Sequence, residues 1–200
     1  MLEFIRRFAI TGFEQGDFTY GTVHTLSIVI LFVSLLITII WLKGKDKEYI
    51  NHKLKYLAIF TLSVYCIRRG VMVYQGDSFV KAFWPFYLCN VNTIFLSIYI
   101  IFNIQKGKDF FVITGLAGAV LMFVVPEGVF NDRYLTLKIF DSILSHYEII
   151  FIPVVLMATK AYELELKNSW QVIVGLLIVT INVEFLQKIL INEQVDYLFI

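Results

Sequence analysis

The stretch Thr19–Leu42, TYGTVHTLSIVILFVSLLITIIWL, contains no Asp, Glu, Lys or Arg. Crossing a bilayer core takes about 20 apolar residues of α-helix, because only a helix satisfies all its backbone hydrogen bonds internally in lipid. This stretch supplies them and sets the reading of the rest. Five more apolar runs follow, giving expected spans at Thr19–Leu42, Leu54–Tyr74, Phe79–Asn103, Phe110–Val125, Ile139–Tyr162 and Trp170–Ile191. With the short loops between them they take up most of the 200 residues. The expected fold is therefore all-α, a polytopic membrane helical bundle of about six transmembrane helices. Residues 1–200 form a single bundle, with 1–18 as an interfacial helix that dips Leu2, Phe4, Ile5 and Phe8 into lipid. No cleavable leader is expected, since the apolar part of Met1–Asp17 is short and interrupted.

Composition agrees. The chain is 58% hydrophobic and 16% charged, with mean hydropathy +0.75. Soluble domains average roughly 45–50% apolar and about 25% charged. The net charge of +1 leaves no basic footprint for nucleic acid. Cys66 and Cys89 both lie in apolar runs, which is not a disulfide framework. No metal-ligand or cofactor motif is present, so neither a metal nor a cofactor is expected. The expected partner is membrane lipid; a homo-oligomer or an unidentified membrane partner stays open. Trp41, Tyr74, Trp84, Tyr162 and Trp170 fall near span ends, as aromatic belts do. Gly115, Ala117, Gly118 and Ala119 make the fourth span a close-packing helix.

Loop lysines set the orientation. Lys43, Lys45, Lys47, Lys53, Lys55, Lys106, Lys108, Lys160 and Lys167 follow spans one, three and five. Arg6, Arg7, Lys81, Arg133 and Lys138 lie on the other side and are fewer. Positive loops stay cytoplasmic, so a multi-pass cell-membrane protein with non-cytoplasmic termini is expected.

Ionisable groups at mid-membrane cost about 2.5–3.5 kcal/mol each on insertion scales, and those that persist usually have work to do. Here they gather in the outer half. Arg68 and Arg69 lie near the outer end of span two, and His24 near that of span one. Cys89, Asn90, Asn92 and Thr93 lie on span three, and Asp141, Ser142, Ser145, His146 and Glu148 on span five. Glu184, Gln187 and Lys188 share a face of span six. Counted from Lys81 and Lys138, Cys89 and His146 reach the same depth, roughly 12 Å in. Pro153 removes the backbone bond to Ile149 and is expected to bend span five. A polar cavity open to the outer leaflet is the inference. The plainer readings are an i, i+4 pair for Glu184–Lys188, snorkelling for Arg69, and a small apolar filler for Cys66.

A cysteine and a histidine at one depth are the parts of a nucleophile–base pair. Arg68 or Arg69 would hold a lipid phosphate or stabilise an oxyanion, and Asn90 or Asn92 would donate to it. Glu148, Glu184 and Gln187 complete the expected substrate-binding set. That makes the chain a candidate membrane-embedded acyltransferase, or transacylase, acting on phospholipid acyl chains. The rival is a small-molecule or ion transporter, or its substrate-binding membrane subunit, built on the same polar cluster. Vitamin-importer subunits of this kind dock a partner through small residues on their first helix. Span one here carries Ser27 and Ser34 but no alanine, which weighs against it.

The segment Trp84-Pro85-Phe86-Tyr87-Leu88-Cys89-Asn90, the Ser142–Val155 segment around His146 and the closing Asp196-Tyr197-Leu198-Phe199 resemble the YwaF-like family of integral membrane proteins. That family includes a eukaryotic phospholipid acyltransferase that uses a Cys and a His. The resemblance implies those two roles for Cys89 and His146.

Overall fold

The computed structural model describes residues 1–84, 87–104, 107–124, 129–168 and 170–182. Among them the regular elements are helices: α1 (Leu2–Arg6), α2 (Thr22–Leu42), α3 (Lys47–Tyr74), α4 (Phe79–Phe83), α5 (Leu88–Ile101), α6 (Lys108–Val124), α7 (Leu137–Ala158) and α8 (Trp170–Ile181). By length and composition, α2, α3 and α7 can each cross a membrane, and α5 and α8 are shorter apolar helices. The chain is thus a helical membrane bundle. Its outer surface is apolar where a soluble protein's would be polar. Ile30, Phe32, Leu36, Ile37 and Ile40 on α2 all face outward, as lipid contact requires.

Local chemistry sets the ends. Asp46 caps α3, accepting the N–H of Tyr49 at 2.8 Å, and Thr136 caps α7 by accepting that of Ile139 at 3.3 Å. The expected second span therefore starts earlier, at Lys47, and the fifth at Leu137. The fifth also stops earlier, at Ala158, because Lys160 takes a positive φ of 58°. The largest departure is the third span. Expected as one helix over Phe79–Asn103, it is two. Proline disfavours helical geometry in the residue before it, and Trp84, ahead of Pro85, is extended (φ −68°, ψ 129°). Tyr87 is extended as well, and α5 starts at Leu88.

The hub is α7. Of its apolar stretch 67% is buried in the bundle, against 22% for α2 and for α3. It packs on α2, α3, α5 and α6. Pro153 lies inside it and cannot donate to Ile149. Gly115 of α6 comes up to that carbonyl: a Cβ there would stand 3.4 Å from the Ile149 oxygen. A small residue thus lets α6 seat on the helix that proline has opened. Gly175 plays the same part where α8 meets the Phe110 ring.

The N-terminal segment is a short helix with a π turn, Arg7–Thr11, and then an extended strap. The strap pairs with the loop before α7: Phe18 N–H donates to Phe130 O at 2.9 Å, and Arg133 N–H to Glu14 O at 3.0 Å. Asp132 fastens it by accepting the N–H groups of Phe13 (2.6 Å) and Glu14 (3.1 Å). Leu2, Phe4 and Ile5 remain exposed.

Candidate functional site

Because α5 begins at Leu88, Cys89 sits in the first turn of a helix rather than deep inside one. First-turn N–H groups have no partner within the helix, and Tyr87 provides no side-chain cap. The backbone N–H groups of Cys89 and Asn90 lie beside the Cys89 sulfur. The thiol lies 4.0 Å from Asn90 Oδ1. Its backbone carbonyl accepts from Thr93 Oγ1 at 2.9 Å.

Opposite stands the end of α3. The Arg69 guanidinium lies over the Tyr65 ring, 4.4 Å from its centre, and its Nη1 reaches Met72 Sδ at 3.2 Å. Asp141, in the second turn of α7, is within electrostatic reach of Arg68, Arg69 and Cys89. Four side-chain atoms here are buried without a hydrogen-bond partner: Arg68 Nη1, Arg69 Nε, Asp141 Oδ1 and Tyr65 OH. Such groups cost about 1–3 kcal/mol each when left unsatisfied, so their concentration at one place marks a polar site. Tyr65 is absent from the polar cluster that the sequence marks out, and Asp141 is in it without a role. The signals were there: Tyr65 is one helical turn from Arg69, and Asp141 is an acid inside an apolar run.

His146 is 8% exposed. Its Nδ1 is 2.7 Å from the Ser142 carbonyl. A carbonyl only accepts, so Nδ1 carries the proton and the neutral ring keeps a free lone pair on Nε2. Its depth differs from expectation. Ser97 of α5 donates to Glu148 of α7, which sets the register of two helices running the same way. Cys89 is eight positions from Ser97, and His146 two from Glu148. For straight parallel helices the imidazole is thus deeper than the sulfur by about 9 Å. Counting down from Lys81 misjudged the depth because the helix ends at Phe83 and restarts at Leu88.

Two expected binding residues serve the interior. Glu148 is wholly buried between α3, α5 and α7, held by Ser97 with Thr61 beside it. Asn92 is 1% exposed and accepts from Thr114 Oγ1 at 3.0 Å, joining α5 to α6. Asn90 is partly exposed beside the sulfur. His24 is taken up by packing, with Nε2 at 3.1 Å from Phe123 O and its ring against Phe130. Glu184, Gln187, Lys188 and the Asp196–Phe199 segment lie outside the described residues. Cys66 is exposed on the lipid-facing side of α3. Among the described residues no cluster of three His, Cys, Asp or Glu could hold a metal ion.

No curated protein and no solved structure matches the chain. A family of membrane proteins does, over residues 19–200, which takes in every helix from α2 onward. On that match, carried through a bundle whose helices are long and apolar enough for a membrane, the chain belongs to the TMEM164 family.

Proposed function

We propose that this chain is a membrane-embedded acyltransferase acting on phospholipid acyl chains, with Cys89 as nucleophile and His146 as general base. The observation that carries the reading is the placement of Cys89 in the first turn of α5, beside backbone N–H groups that have no partner within the helix. The same amides suit the oxyanion that forms when sulfur adds to an ester carbonyl. The sequence resemblance to a Cys/His acyltransferase points the same way.

In the proposed cycle the Cys89 S–H proton passes to His146 Nε2 and the sulfur attacks the acyl carbonyl carbon. The ester C–O bond breaks, and the leaving lysolipid oxygen takes the proton from His146. An acceptor hydroxyl then gives its proton to His146 and attacks the thioester, which restores the thiol. A water or the acceptor hydroxyl spans the offset in depth between sulfur and imidazole. Arg68 and Arg69 hold the lipid phosphate, and Asn90 supports the oxyanion. Asn92 and Glu148 frame the site from the interior, and Glu184 and Gln187 are assigned to it by sequence alone. We place this half of the bundle toward the outer leaflet.

A transporter or substrate-binding membrane subunit would use the same unpartnered Arg68, Arg69 and Asp141 atoms, but without a covalent step. An acyl-chain activity probe separates the two in native membranes. Covalent labelling that Cys89→Ala abolishes and Cys66→Ala leaves intact is the expected result. Saturable binding with no adduct on Cys89 would replace the enzyme by the carrier.

A further inference from the structure

At the end of the bundle away from Cys89, the start of α3, the start of α6 and the α7–α8 connection enclose a recess of about 550 Å³. That is within the range of small-ligand sites. Its wall carries both signs of charge: Lys47 and Lys160 against Asp109, Glu163 and Glu165, the last paired with Lys167. Asp109 is 6% exposed, and its Oδ2 is buried with no partner. Tyr162 OH and Gln171 Oε1, on the same wall, are also buried and unpartnered. An acid in the first turn of a helix commonly serves the helix dipole. That role accounts for the charge of Asp109 but not for three orphan oxygens on one surface. Oxygens that accept call for a ligand that donates several N–H bonds, and a primary ammonium has three.

The lysines add the second half. Lys108, buried with its ammonium 5.3 Å from the centre of the Tyr162 ring, is repelled by Lys47 and attracted by Asp109. Asp109 answers the Lys108 charge, which leaves Lys47 as the lining cation on this side of the recess, suited to an anionic group. Lys160, exposed at the rim, extends that positive edge.

We infer that this recess is a second ligand site, separate from the Cys89 site, for a small zwitterion that places a primary ammonium on Asp109, Tyr162 and Gln171 and an anionic group on Lys47 and Lys160. A free phosphorylated amine and an aminophospholipid headgroup share this chemistry.

The full chain, purified and reconstituted in choline-lipid nanodiscs, is titrated with phosphoethanolamine, with phosphocholine as the control that keeps the charge and loses the N–H donors. A parallel arm measures retention of ethanolamine phospholipid over choline phospholipid. Saturable preference for the primary amine is expected in at least one arm, and which arm responds tells solute from lipid. Asp109→Asn should weaken that binding at least tenfold. Lys160→Gln, a surface change that should leave the fold intact, should weaken phosphoethanolamine binding several-fold and ethanolamine binding little. Equal binding of phosphocholine, no saturable binding in either arm, or wild-type binding by both variants would overturn the assignment. Cys89 labelling by the acyl probe should be unaffected by Lys160→Gln, so this site and the proposed enzyme reading fail separately.

Discussion

The two ends of the bundle carry their charge in different ways. At the Cys89 end the polar groups ride on helices: Tyr65, Arg68 and Arg69 on α3, Cys89 and Asn90 on α5, Asp141 and His146 on α7. At the other end they sit at helix starts and in the α7–α8 connection, as Lys47, Asp109, Lys160 and Glu163 do. Charge held inside a helical span must be matched within the protein, since lipid offers it nothing. Charge at a span end can reach water and headgroups. The first arrangement suits chemistry on a buried bond, and the second suits recognition of something arriving from water or from the membrane surface.

The sharpest way to break this comparison is to ask whether the ends face opposite compartments. In a chain carrying Cys66→Ala and Cys89→Ala, Arg133→Cys should react with an impermeant thiol reagent from outside intact cells. Lys45→Cys should react only after permeabilisation. Labelling of both from outside would deny that the ends are opposed, and the reverse pattern would invert the orientation.

A second test weighs the helix-borne end. A positioned general base typically contributes about 10²–10⁴-fold, so His146→Ala should cut acyl transfer by that order while the protein still inserts and folds. Full turnover in this variant would take His146 out of the reaction, and the free Nε2 would need another account. Arg69→Lys comes next. Lysine keeps the charge but loses the planar fork and its stacking on Tyr65. If the guanidinium grips a phosphate, turnover should fall roughly 10–100-fold, the size of a charge-assisted hydrogen bond. An unchanged KM for the phospholipid donor would argue against that grip.

The smallest effect belongs to the other end and to pH. Lys108 opens α6 ahead of its apolar run, and burial, with help from the Lys47 charge, holds its amine down to about 8 from the ordinary 10.5. Between those values the unfolded chain keeps a proton that the folded chain has shed. Stability should therefore rise with pH from about 8 to 10, by a few degrees of Tm on the order expected for a kilocalorie-scale term. Lys108→Met should flatten that rise in a thermal melt, and an unchanged slope would mean that the Lys108 amine titrates alike in the folded and unfolded chain.

Residue type and spacing alone place the chain among membrane helical bundles, because lipid tolerates few solutions. Apolar runs of spanning length and scarce charge leave no other class open, and α2, α3 and α7 lie where those runs predict. The sequence also singled out the costly residues, Arg68, Arg69, Cys89 and His146, since an ionisable or reactive group in such a run stands out by type alone. Tertiary structure decided how they relate. The third span ends at Phe83 and restarts at Leu88, and that local event moves Cys89 from the interior of a helix to its first turn, where N–H groups lack a helical partner. The proline was legible, but where the helix would restart was not. The register of α5 against α7, fixed by Ser97 and Glu148, makes Asp141 a charged neighbour of Cys89 and leaves His146 deeper. The recess at the far end joins Lys47, Asp109 and Gln171, which are far apart in the chain. Periodicity says which residues share a face of one helix. Which faces meet, and at what height, depends on close packing between helices, as where Gly115 seats on the carbonyl that Pro153 leaves free.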